Sequence, residues 1–92
     1  MLVCRYGGEE FVILMPETTS AEAVRISERI RLAFTHIEFT PAPGVTARVG
    51  ISIGVAQLGS GENKDDFLQR ADQALYQAKN LGRNQTVLAD SP

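Results

Sequence analysis

Two adjacent carboxylates, Glu9 and Glu10, follow directly on two glycines, Gly7 and Gly8, and lead into the apolar run Phe11-Val12-Ile13-Leu14-Met15. Carboxylate oxygens hold hard divalent cations. Glycines let a backbone approach a phosphate closely, because no Cβ stands in the way. One short loop could therefore present metal-binding oxygens and phosphate-contacting backbone together. The same residues have a plainer reading, in which Gly7-Gly8 is a tight hairpin turn and the two acids are a solvated edge. Lys79 and Arg83 form a second charged group. An i, i+4 offset puts both cations on one side near the end of a single helix. The dipole of a helix C-terminus favours cations there even without a ligand.

The elements that must position these residues follow from patterning. Residues 2–6 and 10–15 read as two strands around Gly7-Gly8. The second is apolar on both sides, as in a strand covered on both faces, and Pro16 ends it. Thr19 and Glu22 form a capping box for a helix over about residues 20–34. Its stripe is Ala23, Ile26, Ile30, Ala33 and Ile37, with Phe34 beside them. Pro41-Ala42-Pro43-Gly44 reads as a turn cluster, and one strand is expected over about residues 47–57. Its larger face is Val49, Ile51, Ile53 and Val55. The small residues Gly50, Ser52, Gly54 and Ala56 face the other way, which suits close packing of a helix. Asn63 caps a second helix that has Asp65 and Asp66 in its first turn. Phe67, Leu68, Ala71, Ala74, Leu75 and Ala78 form its stripe, Gly82 ends it, and residues 86–89 make a last strand. The sum is an α+β layout in one domain, residues 1–92.

Composition narrows the partners. With 92 residues, 43% hydrophobic and 22% charged, the chain has the balance of a globular domain. A net charge of −2 with no basic block makes a nucleic-acid polymer an unexpected partner. No apolar stretch approaches membrane-spanning length, so no membrane contact is expected from this segment. Arg5 and Glu9 interrupt any signal-peptide pattern. The single Cys4 reads as a small hydrophobe and suits a reducing cytoplasm. With His36 as the only histidine, a nucleophilic role for Cys4 lacks a base.

Four stretches together resemble the GGDEF family, the diguanylate cyclases. They are Gly7-Gly8-Glu9-Glu10-Phe11, Ser52-Ile53-Gly54-Val55, the helix Ala71-Asp72-Gln73-Ala74-Leu75-Tyr76-Gln77-Ala78-Lys79, and Gly82-Arg83-Asn84. The resemblance implies a nucleotidyl-cyclase or palm-like antiparallel sheet with flanking helices. It implies a domain that condenses two GTP into cyclic di-GMP and pyrophosphate, with two domains facing each other as a homodimer. It further implies that Glu9 and Glu10 are catalytic and bind Mg²⁺ or Mn²⁺. Gly7 and Gly8 would let the nucleotide lie against the hairpin, and Lys79 and Arg83 would contact the β- and γ-phosphates. Arg29 matches a helix arginine that adds to inhibitor binding in some members; its plain alternative is a solvated helix residue.

The same resemblance sets an expectation about extent. The family fold has a first strand and two helices ahead of its signature loop, carrying a metal-binding Asp and the guanine-recognising Asn and Asp. These have no counterpart in the 92 residues. The Asp of the family's inhibitory R-x-x-D motif falls at Met1. The expectation is thus the carboxy-terminal half of a cyclase domain, inactive by itself. The rival is a non-catalytic GGDEF-like module that senses a nucleotide or binds a protein, and the intact Gly-Gly-Glu-Glu loop argues against it.

Overall fold

The computed structural model describes residues 2–5, 11–48 and 50–90. Strand β1, Leu2–Arg5, pairs antiparallel with β2, Phe11–Leu14, with Arg5 opposite Phe11. Helix α1 runs over Ser20–Thr35. Strands β3, Glu38–Ala42, and β4, Val45–Arg48, form a second antiparallel hairpin. Strand β5, Ile53–Val55, is joined through helix α2, Lys64–Asn80, to β6, Thr86–Leu88. The last two strands pair in parallel, with Gly54 opposite Val87. The architecture is α+β, as patterning suggests, with its strands in three two-stranded pairs.

Both helix starts are built as their sequences dictate. The Thr19 hydroxyl accepts the Glu22 N–H at 3.2 Å, and the Asn63 side-chain oxygen accepts the Asp66 N–H at 2.9 Å. Each satisfies a backbone donor that the first turn of a helix leaves without a partner. The centre of the fold is α2 lying on β5 and β6, with α1 packed on the same two strands. Val55, Ala74 and Ala78 are the buried apolar residues among those described, and Ala78 is fully covered.

Small side chains set this geometry. A Cβ on Gly54 would collide with the Ala71 carbonyl and the Leu75 amide, and would lie 2.9 Å from Leu75 Cα. The backbone of α2 therefore rests directly on β5. Of the small residues expected to face a helix, Gly54 does so, while Gly50 and Ser52 lie instead against Asn84.

Two expectations need correction. The single strand over residues 47–57 is two strands, β4 and β5, in different pairs. The β3–β4 hairpin was hidden because Pro41 reads as a turn residue yet sits within β3, and the turn falls on Pro43-Gly44, with Gly44 at φ +77°. This short hairpin is largely exposed, a place where a proline costs little ladder pairing. The α1 stripe is also only partly covered. Ile26 and Ile30 are half-buried, Ala33 and Ile37 are exposed, and Ser27 is the buried residue of this helix. By contrast every residue of the α2 stripe is buried or half-buried. Among the described residues no helix is long and apolar enough to cross a membrane.

The loop before α2 is stapled by charge. Arg70 donates to Glu62 through Nε at 2.8 Å and Nη2 at 2.7 Å, to the Asp90 carbonyl at 2.8 Å, and to the Gln57 carbonyl. The Gly59 N–H also donates to Glu62. The Arg70 hydrogen bonds, helped by that Gly59 N–H, pull the Glu62 carboxyl down to about 2, from an ordinary 4.5. A carboxyl depressed in the folded state stabilises the fold above its unfolded value and ceases to do so as pH falls through its folded value. The thermal midpoint of the wild type should therefore exceed that of Glu62→Gln at neutral pH. The gap should close between pH 4.5 and about 2. A gap independent of pH over that range would show that the charge of Glu62 adds nothing.

Candidate active site

Strands β1 and β2 bracket the signature loop. Gly7, Gly8, Glu9 and Glu10, and the hairpin turn expected at Gly7-Gly8, lie outside the described residues. The side chain of Cys4 does too. The second charged group, at the far end of α2, lies within the described residues.

Lys79 stands in the last turn of α2, half-buried, and takes part in an interaction within the chain. Arg83 is exposed and lies beyond the helix, two residues past the C-cap Leu81. This corrects the i, i+4 placement on one helix. The physical reason is Gly82, whose φ of +116° turns the chain out of the helix before Arg83 is reached. The Arg83 N–H then donates back to the Ala78 carbonyl at 2.9 Å. That is the long bond of a Schellman turn, which satisfies a carbonyl left over at the helix end.

The turn does not relax after the glycine. Arg83 and Asn84 are both left-handed, at φ +63° and +48°. Side-chain crowding makes that conformation cost roughly 1–2 kcal/mol per non-glycine residue, less for Asn. Such a run persists only where its surroundings hold it. Here they do. The Asn84 N–H donates to Ser52 Oγ at 3.1 Å. Arg31 Nη1 on α1 donates to the Asn84 carbonyl at 3.2 Å and to Asn84 Oδ1 at 3.3 Å. Gln85 Nε2 donates to the Arg83 carbonyl at 3.3 Å and the Leu81 carbonyl at 3.0 Å. Gly50 leaves room for Asn84, since a Cβ there would come within 2.6 Å of Asn84 Cγ.

Arg31 is itself aimed by Glu28, one helical turn earlier, which takes Nε and Nη2. The Thr86 hydroxyl on β6 donates to the same carboxylate at 3.2 Å. The Arg31 hydrogen bond, followed by that of Thr86, holds the Glu28 carboxyl below its ordinary range against the opposing effect of burial. Arg31, Ser52 and Glu28 carry no sequence signal for this role, because Arg31 and Asn84 are 53 positions apart. Arg29 is exposed on α1.

Among the described residues, no group of three or more His, Cys, Asp or Glu is gathered as a metal site. The candidate donors Glu9 and Glu10 are both carboxylates. Such hard oxygen ligands fit Mg²⁺ or Mn²⁺ and give a softer metal no thiolate or imidazole.

Comparison with known proteins shows the family and the fold. The family described as "Diguanylate cyclase, GGDEF domain" matches residues 1–85. The chain belongs to the GGDEF family. It is 52% identical over 88 residues to the response regulator PleD of Caulobacter vibrioides, covering 94% of this chain and 19% of that protein. It is 42% identical over 88 residues to the diguanylate cyclase DgcM of Escherichia coli K12, covering 96% of this chain and 20% of that protein. The chain thus spans about a fifth of the length of these relatives. Its fold superposes on the GGDEF domain of DgcB from Caulobacter crescentus, solved in complex with c-di-GMP, with a TM-score of 0.90 at 31% identity. That match covers 97% of this chain and 53% of the solved one. The active GGEEF domain of a diguanylate cyclase from Vibrio cholerae gives 0.75 at 34% identity, covering 96% and 55%.

Proposed function

We propose that this chain is part of a cytoplasmic diguanylate cyclase domain that condenses two GTP molecules into cyclic di-GMP and two pyrophosphates. The observation that carries the reading is an intact Gly7-Gly8-Glu9-Glu10 loop in a chain of this family. The 3′-oxygen of each nucleotide attacks the α-phosphorus of the other. One P–O bond forms, the bond to pyrophosphate breaks, and the 3′-hydroxyl gives up its proton. Gly7 and Gly8 let the triphosphate lie against the β1–β2 hairpin. Glu9 assists loss of the 3′-hydroxyl proton, and Glu9 and Glu10 supply the oxygens for Mg²⁺ or Mn²⁺. A hard cation bound there would neutralise the charge that develops on the phosphates. Lys79 from the last turn of α2, and Arg83 from the turn beyond it, bring positive charge to the β- and γ-phosphates.

Two GTP sites meet only when two such domains face each other, so the working form is a homodimer. The 92 residues alone are expected to turn over GTP negligibly, because they correspond to about half of the solved GGDEF domains. Loss of positioning costs about 10²-fold or more in rate. The test is incubation with GTP and Mg²⁺ followed by chromatography of the nucleotides. The whole protein carrying this chain should yield cyclic di-GMP, and the isolated 92 residues should yield almost none. A whole protein that binds GTP without forming product would favour the nucleotide-sensing alternative.

A further inference from the structure

We infer that Arg31 of α1 is a positioning residue for Arg83, acting through Asn84 to fix the left-handed turn that presents the phosphate-contacting guanidinium. The inference rests on the reading of Arg83 proposed above. Arg31 has no place in the signature motifs, and its direct partners are Glu28 and Asn84. Its side chain is only 16% exposed, one turn beyond the buried Ser27, and reaches across to the segment beyond α2.

The geometry gives Arg31 a specific task. Arg83 follows a glycine that breaks the helix, so α2 alone does not set its direction. Its N–H is fixed by Ala78 and its carbonyl by Gln85. The next residue, Asn84, must also stay left-handed, and its polar groups are clamped from two other elements. Ser52, just ahead of β5, takes its N–H, while Arg31 takes its carbonyl and its Oδ1. Removing Arg31 leaves the Asn84 side chain and carbonyl without the donor that holds them against Gly50 and Ser52. The Asn84–Gln85 peptide then loses the donor to its carbonyl and Asn84 loses its side-chain anchor. Only Ser52, Gln85 and the Ala78 carbonyl still hold the left-handed pair, and the direction of the Arg83 side chain is set less firmly. Glu28, tied to Thr86 on β6, keeps Arg31 from swinging away.

The experiment is steady-state kinetics of cyclic di-GMP formation in the whole protein, with Arg83→Ala, Arg31→Ala and the double variant. A charged hydrogen bond to phosphate is worth roughly a tenfold to hundredfold change in affinity, so Arg83→Ala should raise the KM for GTP by about that factor. Arg31→Ala should raise KM about tenfold with kcat changed less than about twofold, as expected when one misdirected contact is lost. The double variant should be no worse than Arg83→Ala alone, since both changes remove one interaction. A merely structural role would lower the thermal midpoint and the active fraction, and hence kcat, while leaving KM alone. An unchanged KM for Arg31→Ala beside a raised KM for Arg83→Ala overturns the positioning role and spares the phosphate contact. An unchanged KM for Arg83→Ala overturns the phosphate contact itself. If Arg31→Ala fails to fold, Arg31→Lys and Ser52→Ala take its place. Both should raise KM by smaller factors, and an unchanged KM in both sinks the inference.

Discussion

Replacing Gly54 with alanine should destabilise the fold by about 3 kcal/mol, the upper end of ordinary overpacking. The added methyl would meet the Ala71 carbonyl, the Leu75 amide and Leu75 Cα, all of them backbone atoms of α2. A flexible side chain can rotate away from an intruding methyl. A helix backbone can only move as a body, and α2 also contacts β6 and carries the buried Ala74 and Ala78. Lifting it would open the apolar centre of the fold. Net stabilities of domains are about 5–15 kcal/mol, so the loss is a large share of the whole. Thermal unfolding followed by circular dichroism reads it directly. Gly61→Ala is the control, because Gly61 has no atom within 4 Å of an added Cβ and meets only the backbone cost of its φ of +76°. Equal midpoints for the two variants would contradict the close contact.

The second large effect is chemical. Glu9→Gln in the whole protein should lower the rate of cyclic di-GMP formation by about 10²-fold or more, the scale of a misplaced reacting group. Glutamine keeps the size and one oxygen of the side chain and loses its negative charge. A hard divalent cation depends on that charge, and the 3′-hydroxyl loses the group that assists departure of its proton. The thermal midpoint, measured alongside, separates a loss of chemistry from a loss of fold. Initial rates at saturating GTP and Mg²⁺ make the comparison. Undiminished turnover would remove Glu9 from the catalytic group and leave Glu10 as the carboxylate to test.

Much of this was readable from residue order because the informative features are local. The caps at Thr19 and Asn63, the glycine exit at Gly82 and the α2 stripe depend on neighbours within a few positions, and each is realised. The failures involve non-local pairing. In residues 38–48 the turn at Pro43-Gly44 is legible but the strands on either side are not, because their pairing is held by backbone and by the Arg48–Glu38 ion pair across ten positions. Pro41 points the wrong way. The candidate site divides along the same line. Its residue types could be named from motifs, but the direction of Arg83 depends on Gly82 and on a clamp from Arg31 and Ser52, distant in sequence. A spacing of four reads as two cations on one helix. The Schellman turn puts them on different elements.

That turn also governs which changes of chain length the domain can absorb. The stretch from Ala78 to Thr86 runs between two fixed ends. Ala78 is locked under the sheet at 0% exposure, and Thr86 is held in parallel register with Ile53. Between them almost every residue has an assigned partner, so one added or lost residue would put Arg83, Asn84 and the whole of β6 out of step together. The turn at Gly44 has open space around it and no such tether. Insertions and deletions acquired during divergence can collect there. The segment bearing Arg83 is left to vary by substitution alone.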